Sequence, residues 1–124
     1  MTNDGDGALE VARAYHRAWE SRDFDEAGTY LADDLVTDVP INTYRSRAEW
    51  LQAVRGTREV TSSVHVLAEF GTADEALLLY DMRLDPIGDL RVAEHFLVAS
   101  GRIVQIRQVH DTLALRAAGF GGGC

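Results

Sequence analysis

Apolar positions change period once along this chain, near Val60. Before that point they fall at helical intervals. Ala8, Ala12, Tyr15 and Trp19 stand at i, i+4, i+7 and i+11, which predicts an amphipathic helix ending near Ser21-Arg22. Glu10, Arg13, Arg17 and Glu20 occupy its other faces, and His16 is placed off the apolar stripe, in solvent. Asp23, with Glu26 three residues on, caps a second helix whose stripe is Phe24, Ala27 and Leu31, broken by Asp33-Asp34. Leu35 to Val39 reads as a short strand ended by Pro40. Ser46 and Glu49 form a second capping box, opening a third helix with Trp50, Leu51 and Val54 on its apolar side and Gly56 as its stop.

After Val60 the period is two. Val64–Phe70, Ala76–Leu84, Leu90–Ala99 and Arg102–Asp111 predict four strands. The turns between them are short, at 71–74, at 85–89 (where Asp85-Pro86 is read as part of the turn) and at Ser100-Gly101. Short turns imply antiparallel hairpins. The expected class is α+β, with three N-terminal helices packed on one face of a curved antiparallel sheet.

Composition narrows the function classes. The chain has 124 residues, the size of one domain, with 46% apolar and 26% charged residues. The expectation is a single domain over 1–124, with 1–6 and 117–124 as mobile ends. Twenty acidic and twelve basic residues give a net charge of −8, and all twelve basic residues are arginine. Lysine Schiff-base chemistry is excluded, and an acidic chain without an arginine cluster argues against nucleic acid as partner. No apolar run reaches ~18 residues and no secretory leader is visible, so neither a membrane span nor export is expected, and the expected compartment is the cytoplasm. The one cysteine, Cys124 after three glycines, reads as tail. No His-x-x-x-His, His-Glu-x-x-His or EF-hand spacing occurs, nor a Gly-rich phosphate loop, so no metal and no cofactor are expected.

Candidate chemistry sits on the strands. Val92, Glu94, Phe96 and Val98 share one face, which puts a carboxylate in an apolar row, where it must be paired, be neutral or line a cavity. Val104, Ile106, Gln108 and His110 form one face of the last strand. If that face meets the helices, Gln108 and His110 are polar groups inside an apolar cup. Tyr15 lies mid-stripe on the first helix, so its hydroxyl either finds a core partner or points into a pocket. Tyr80 and Met82, with Leu78 and Leu84, would line the same cavity. The face of His65 is left open by the alternation, and Arg83 with Asp85 is read as a turn neighbour rather than a functional pair.

These patterns, "SRDFDEAGTYLADDLVTDVP" and "VAEHFLVASGRIVQIRQVHD" above all, resemble the SnoaL-like polyketide cyclases. Those belong to the nuclear transport factor 2-like superfamily with the ketosteroid isomerases. The resemblance spans about residues 8–112. It implies a cone-shaped, mostly apolar pocket and, in many members, a dimer through the outer sheet face. It implies an oxyanion-hole role for Tyr15, eight residues before Asp23. It also implies a neutral, hydrogen-bond-donating carboxyl for Glu94, which stands before His95-Phe96 where that family has a protonated Asp. His110 falls at a pocket-aromatic position. The general-base position before the proline is Val39, and Asp38 lies one step earlier, on the opposite face unless a bulge turns it.

The expectation is therefore acid–base isomerisation or cyclisation of a largely apolar, carbonyl-bearing metabolite of polyketide, steroid or terpenoid type. Tyr15 and Glu94 polarise its oxygen, and His110, or Asp38 if it reaches the pocket, moves a proton. Trp19, Val39, Tyr80, Met82, Phe96 and Gln108 are expected to contact the ligand. The alternatives are a non-catalytic binding protein using the same cone, and an epoxide hydrolase. A homodimer through the outer face is expected, because Leu77, Leu79, Ala93, Leu97 and Val109 alternate there with Arg83, Arg91, His95 and Arg107.

Overall fold

The computed structural model describes residues 7–117 and 119. The expectations for residues 1–6, for most of the tail beyond Ala117 and for Cys124 lie outside the described residues. In chain order the elements are α1 (Gly7–Glu20), α2 (Phe24–Thr29), β1 (Leu31–Val39), β2 (Asn42–Tyr44), α3 (Arg47–Val60), β3 (Thr61–Gly71), β4 (Glu75–Leu84), β5 (Gly88–Ala99), β6 (Arg102–Val109) and α4 (Leu113–Ala117). Both capping boxes form. Asp23 accepts the Glu26 backbone N–H and Ser46 Oγ that of Glu49, each at 3.1 Å. Such caps satisfy first-turn N–H groups that no helix can satisfy internally.

The six strands make one sheet in the order β2-β1-β6-β5-β4-β3. β3 to β6 form the expected antiparallel meander. β1 departs from it: it runs parallel to β6, with Thr37 opposite Ile106, so the sheet is mixed. Short turns dictate antiparallel pairing only for consecutive strands. β1 and β6 are joined through β2, α3 and the strands β3 to β5, so that rule does not constrain them.

Other boundaries moved for local reasons. α3 runs through Gly56 to Val60, and Arg58 ties its end down by donating to the Glu20 and Thr61 carbonyls at 2.8 Å. β1 begins at Leu31, which is wholly buried and pairs with Ile103 rather than ending a helix. β2 and α4 have no strong sequence pattern and were not expected. On β6 the buried residues are Ile103 and Ile106, not Val104, because the register slips between Leu97 and Val98. Asp85-Pro86 lies between β4 and β5, and Arg83 pairs with Asp89 across that hairpin.

The inner row of β4 is Ala76, Leu78, Tyr80, Met82 and Leu84, and that of β5 is Leu90, Val92, Glu94 and Phe96. α1 lies across β3 to β6 and α3 against β1, so the helices close one side of a curved sheet. The core fills the space between the helices and the inner face of the sheet, and a hollow lies beside it.

Candidate functional site

A cavity of about 140 Å³ lies between α1, α3 and the inner faces of β4, β5 and β6. Its walls are mostly apolar, with Trp19, Val54, Met82, Leu90 and Val92 among them, and Leu115 of α4 reaches in from the rim. The polar groups that reach it are Tyr15, Trp50, Thr57, Tyr80, Glu94, Gln108 and His110, with Tyr44 near the mouth.

Glu94 organises this wall. It is 1% exposed, yet its carboxylate accepts three side-chain hydrogen bonds. His16 Nε2 and the Tyr80 hydroxyl both reach Oε1 at 2.8 Å, and Gln108 Nε2 reaches Oε2 at 2.9 Å. The sheet register produces two of these contacts. Gln108 is the direct cross-strand partner of Glu94, and Tyr80 is opposite Val92, two residues away on the same face.

His16 supplies the charge. It is 4% exposed, stacked edge-on against Tyr15, Trp19, Tyr80 and Phe96. Burial alone pulls its pKa down, but the Glu94 charge and hydrogen bond, with help from Glu20, push it up to about 9. Burial likewise favours the neutral form of Glu94. The His16 charge and the three donated hydrogen bonds outweigh that and hold its carboxyl below the ordinary carboxylate value. This overturns two expectations. His16 is not in solvent, and Glu94 is not a neutral donor but an ionised acceptor. The helical period did hold the signal: Leu9, Ala12, His16 and Trp19 stand at i, i+3, i+7 and i+10, on the stripe.

Tyr15 is fully buried, and its oxygen accepts a 2.8 Å hydrogen bond from Trp50 Nε1. Among the described residues no side chain or carbonyl accepts the proton of this hydroxyl, and the residue lines the cavity. Burial, then the nearby Glu94 charge, raise its pKa well above 10, the Trp50 bond opposing, so the phenol stays protonated and is a donor. Trp50 was expected only as packing; its N–H aims this donor.

His110 follows β6 and is half-buried at the mouth. Its Nδ1 lies 3.0 Å from the Asp111 carbonyl oxygen, and since a carbonyl only accepts, Nδ1 carries the proton. In the neutral ring Nε2 is then the basic nitrogen. Trp19, Val39, Tyr80, Met82 and Gln108 line the cavity as expected. Two candidates do not. Phe96 packs under Tyr15, ring centroids 6.2 Å apart, on the far side of Glu94 from the hollow. Asp38 alternates with the buried Thr37 and the cavity-lining Val39, so it faces away and accepts from Thr43 Oγ1 at 3.1 Å. No bulge turns it inward; the irregularity in β1 lies earlier, between Leu31 and Val36. His65 pairs with Asp81 on the outer face.

Among the described residues no three His, Cys, Asp or Glu side chains come together to hold a metal ion, and no helix is long and apolar enough to cross a membrane.

Residues 12–106 match the family model of the SnoaL-like domain. The chain belongs to the SnoaL-like domain family. A solved structure from Kribbella flavida is 34% identical to this SnoaL-like domain, with a TM-score of 0.84 over 89% of this chain and 91% of the other. A steroid delta-isomerase from Pseudomonas aeruginosa shares the fold at 17% identity and a TM-score of 0.77, over 94% and 89% of the two chains. An LEH-like epoxide hydrolase from M. tuberculosis shares it at 21% identity and 0.75, over 93% and 90%. No curated protein sequence matches this SnoaL-like domain significantly.

Proposed function

We propose that this SnoaL-like domain is an acid–base enzyme acting on a small, neutral, mostly apolar molecule that carries a carbonyl-type oxygen, by isomerisation or cyclisation. The observation that carries this reading is the Tyr15 hydroxyl. It is buried, held by Trp50 and left with its proton unclaimed inside an apolar cavity. A donor fixed in this way stabilises negative charge as it develops on a ligand oxygen. His110 Nε2 moves the proton, and the free carbonyl end of Gln108 orients the ligand while its amide is held by Glu94.

A dry cavity of about 150 Å³ holds benzene, so the 140 Å³ here accommodates at least one ring of a polyketide- or terpenoid-type ligand. No arginine lines it, and the wall pairs one positive with one negative group, which favours a neutral ligand. A homodimer through the outer sheet face belongs to the same reading, since Phe70, Leu77 and Val109 are exposed there.

The test is turnover of a panel of small cyclic enones and β-dicarbonyl compounds, followed by Tyr15→Phe. Loss of one donor to a developing oxyanion costs about 10²–10³ in kcat. A folded Tyr15→Phe protein with unchanged kcat on a turned-over compound overturns the oxyanion role. A second reading, a ligand-binding protein without chemistry, is favoured by one observation: the position before Pro40 is Val39, and Asp38 faces outward. Tight binding of panel members with no conversion by the wild type selects it.

A further inference from the structure

His16 is buried between Glu94, which lines the pocket, and Glu20, which lines a second hollow. On its pocket side Nε2 meets Glu94 at 2.8 Å. On the other side Nδ1 is buried with no hydrogen-bond partner, 3.5 Å from Glu20 Oε2. Glu20 is one helical turn further along α1, with its side chain 37% exposed. It borders a second hollow of about 180 Å³, whose rim is polar: Arg58, Thr61, Ser62 and Ser63. Arg58 is pinned to the Glu20 and Thr61 carbonyls and keeps this cleft in place. A buried N–H left unbonded is costly, and this one points toward a carboxylate that can swing the last fraction of an ångström to meet it.

We propose that Glu20, His16 and Glu94 form a proton relay through the pocket wall, with Glu20 as its solvent-side positioning residue. The proposal rests on Glu94 as the pocket's ionised carboxylate. It adds a role that the static site lacks, because a carboxylate held by a cation is a weak base. The step balances. A ligand C–H or O–H bond breaks, and its electron pair stays on the ligand as an oxyanion beside the Tyr15 hydroxyl. The proton forms an O–H bond at Glu94 Oε2. The Nδ1–H bond of His16 breaks and its proton passes to Glu20, which releases it into the cleft. His16 is left neutral, its Nε2–H still on Glu94. The three groups carry the same total charge before and after, and the buried Glu94–His16 pair passes from an ion pair to two neutral groups, so no lone charge is left in the buried wall. The pocket can then exchange protons with solvent while a ligand blocks its mouth. The groups facing His16 are Glu20, Tyr15 and Trp19 from α1, Tyr80 from β4 and Glu94 and Phe96 from β5; Arg58 of α3 lines the second hollow with Glu20.

The test uses the full chain without ligand, by nitrogen-resolved magnetic resonance of the His16 ring. In the wild type the ring titrates near 9, and its Nδ1 proton exchanges with water. Glu20→Gln lowers that midpoint and slows Nδ1 exchange at least tenfold, and Glu20→Asp restores part of both. A midpoint that falls while exchange is unchanged means that Glu20 acts only through its charge, and it overturns the relay. An unchanged midpoint and rate overturn it as well. Because no turnover is measured, failure here is separate from failure of the Tyr15 role.

Discussion

The Glu94–His16 pair shows how much one side chain can change a neighbour's chemistry. A lone carboxyl in the row Val92, Glu94, Phe96 is driven toward its neutral form by burial. A buried imidazolium beside it reverses the outcome. Removing one partner strands the other, and truncating half of a buried pair typically costs about 3–5 kcal/mol. Glu94→Ala is therefore expected to lower unfolding free energy by about that amount, as measured by denaturant titration. Glu94→Gln combined with His16→Gln loses less than the sum of the two single changes, because each single change leaves a bare buried charge and the double variant leaves none. The pair also sets a pH profile. His16 binds its proton more tightly folded, so its contribution is fully present below pH 6.5 and is lost as pH rises toward about 9. Glu94 has a lowered folded value, so its contribution is present above pH 4.5 and is lost as pH falls further. Thermal stability is expected to peak between those limits. A midpoint that keeps rising from pH 7 to 9 contradicts the assignment.

At the scale of elements, two glycines make opposite predictions. Gly56 sits inside α3, and a Cβ there meets nothing within 4 Å. Gly56→Ala is expected to stabilise the domain by about 0.5–1 kcal/mol, through helix propensity and a less flexible unfolded chain. Gly71 ends β3 where it meets α1, and a Cβ there falls 2.7 Å from Leu9 Cβ. Gly71→Ala forces the helix and strand apart, at a cost of about 1–3 kcal/mol. Paired denaturation curves check both signs. The same close approach sets α1 over the sheet and so brings Tyr15 and His16 to Glu94.

For the whole molecule, the outer sheet face is the open question with the simplest measurement. Phe70 is 66% and Val109 70% exposed, with the half-buried Leu97 and Ala93 on the same side. A specific dimer covers such a face and places Arg91 and Arg107 at its edge. Light scattering is expected to report a dimer at tens of micromolar, roughly the range in which specific dimers of modest affinity form, and Phe70→Glu with Val109→Glu to report a monomer. A wild-type monomer refutes this assembly without touching the pocket.

Local signals were enough to predict much of this protein. The two capping boxes, the period-two alternation after Val60 and the short hairpin turns depend on neighbours within a few residues, and each forms. The row containing Glu94 was legible for the same reason, since alternation places side chains on faces. What alternation cannot say is which group from another element meets a given face. Whether Glu94 is neutral or charged was decided by His16, 78 positions away in the chain, and whether Tyr15 points its proton into the hollow was decided by Trp50, 35 positions away. The parallel pairing of β1 with β6, which leaves Asp38 outside and Val39 inside, is likewise a long-range contact. Protonation states and donor directions depend on distances between remote segments, and only the folded chain sets those distances.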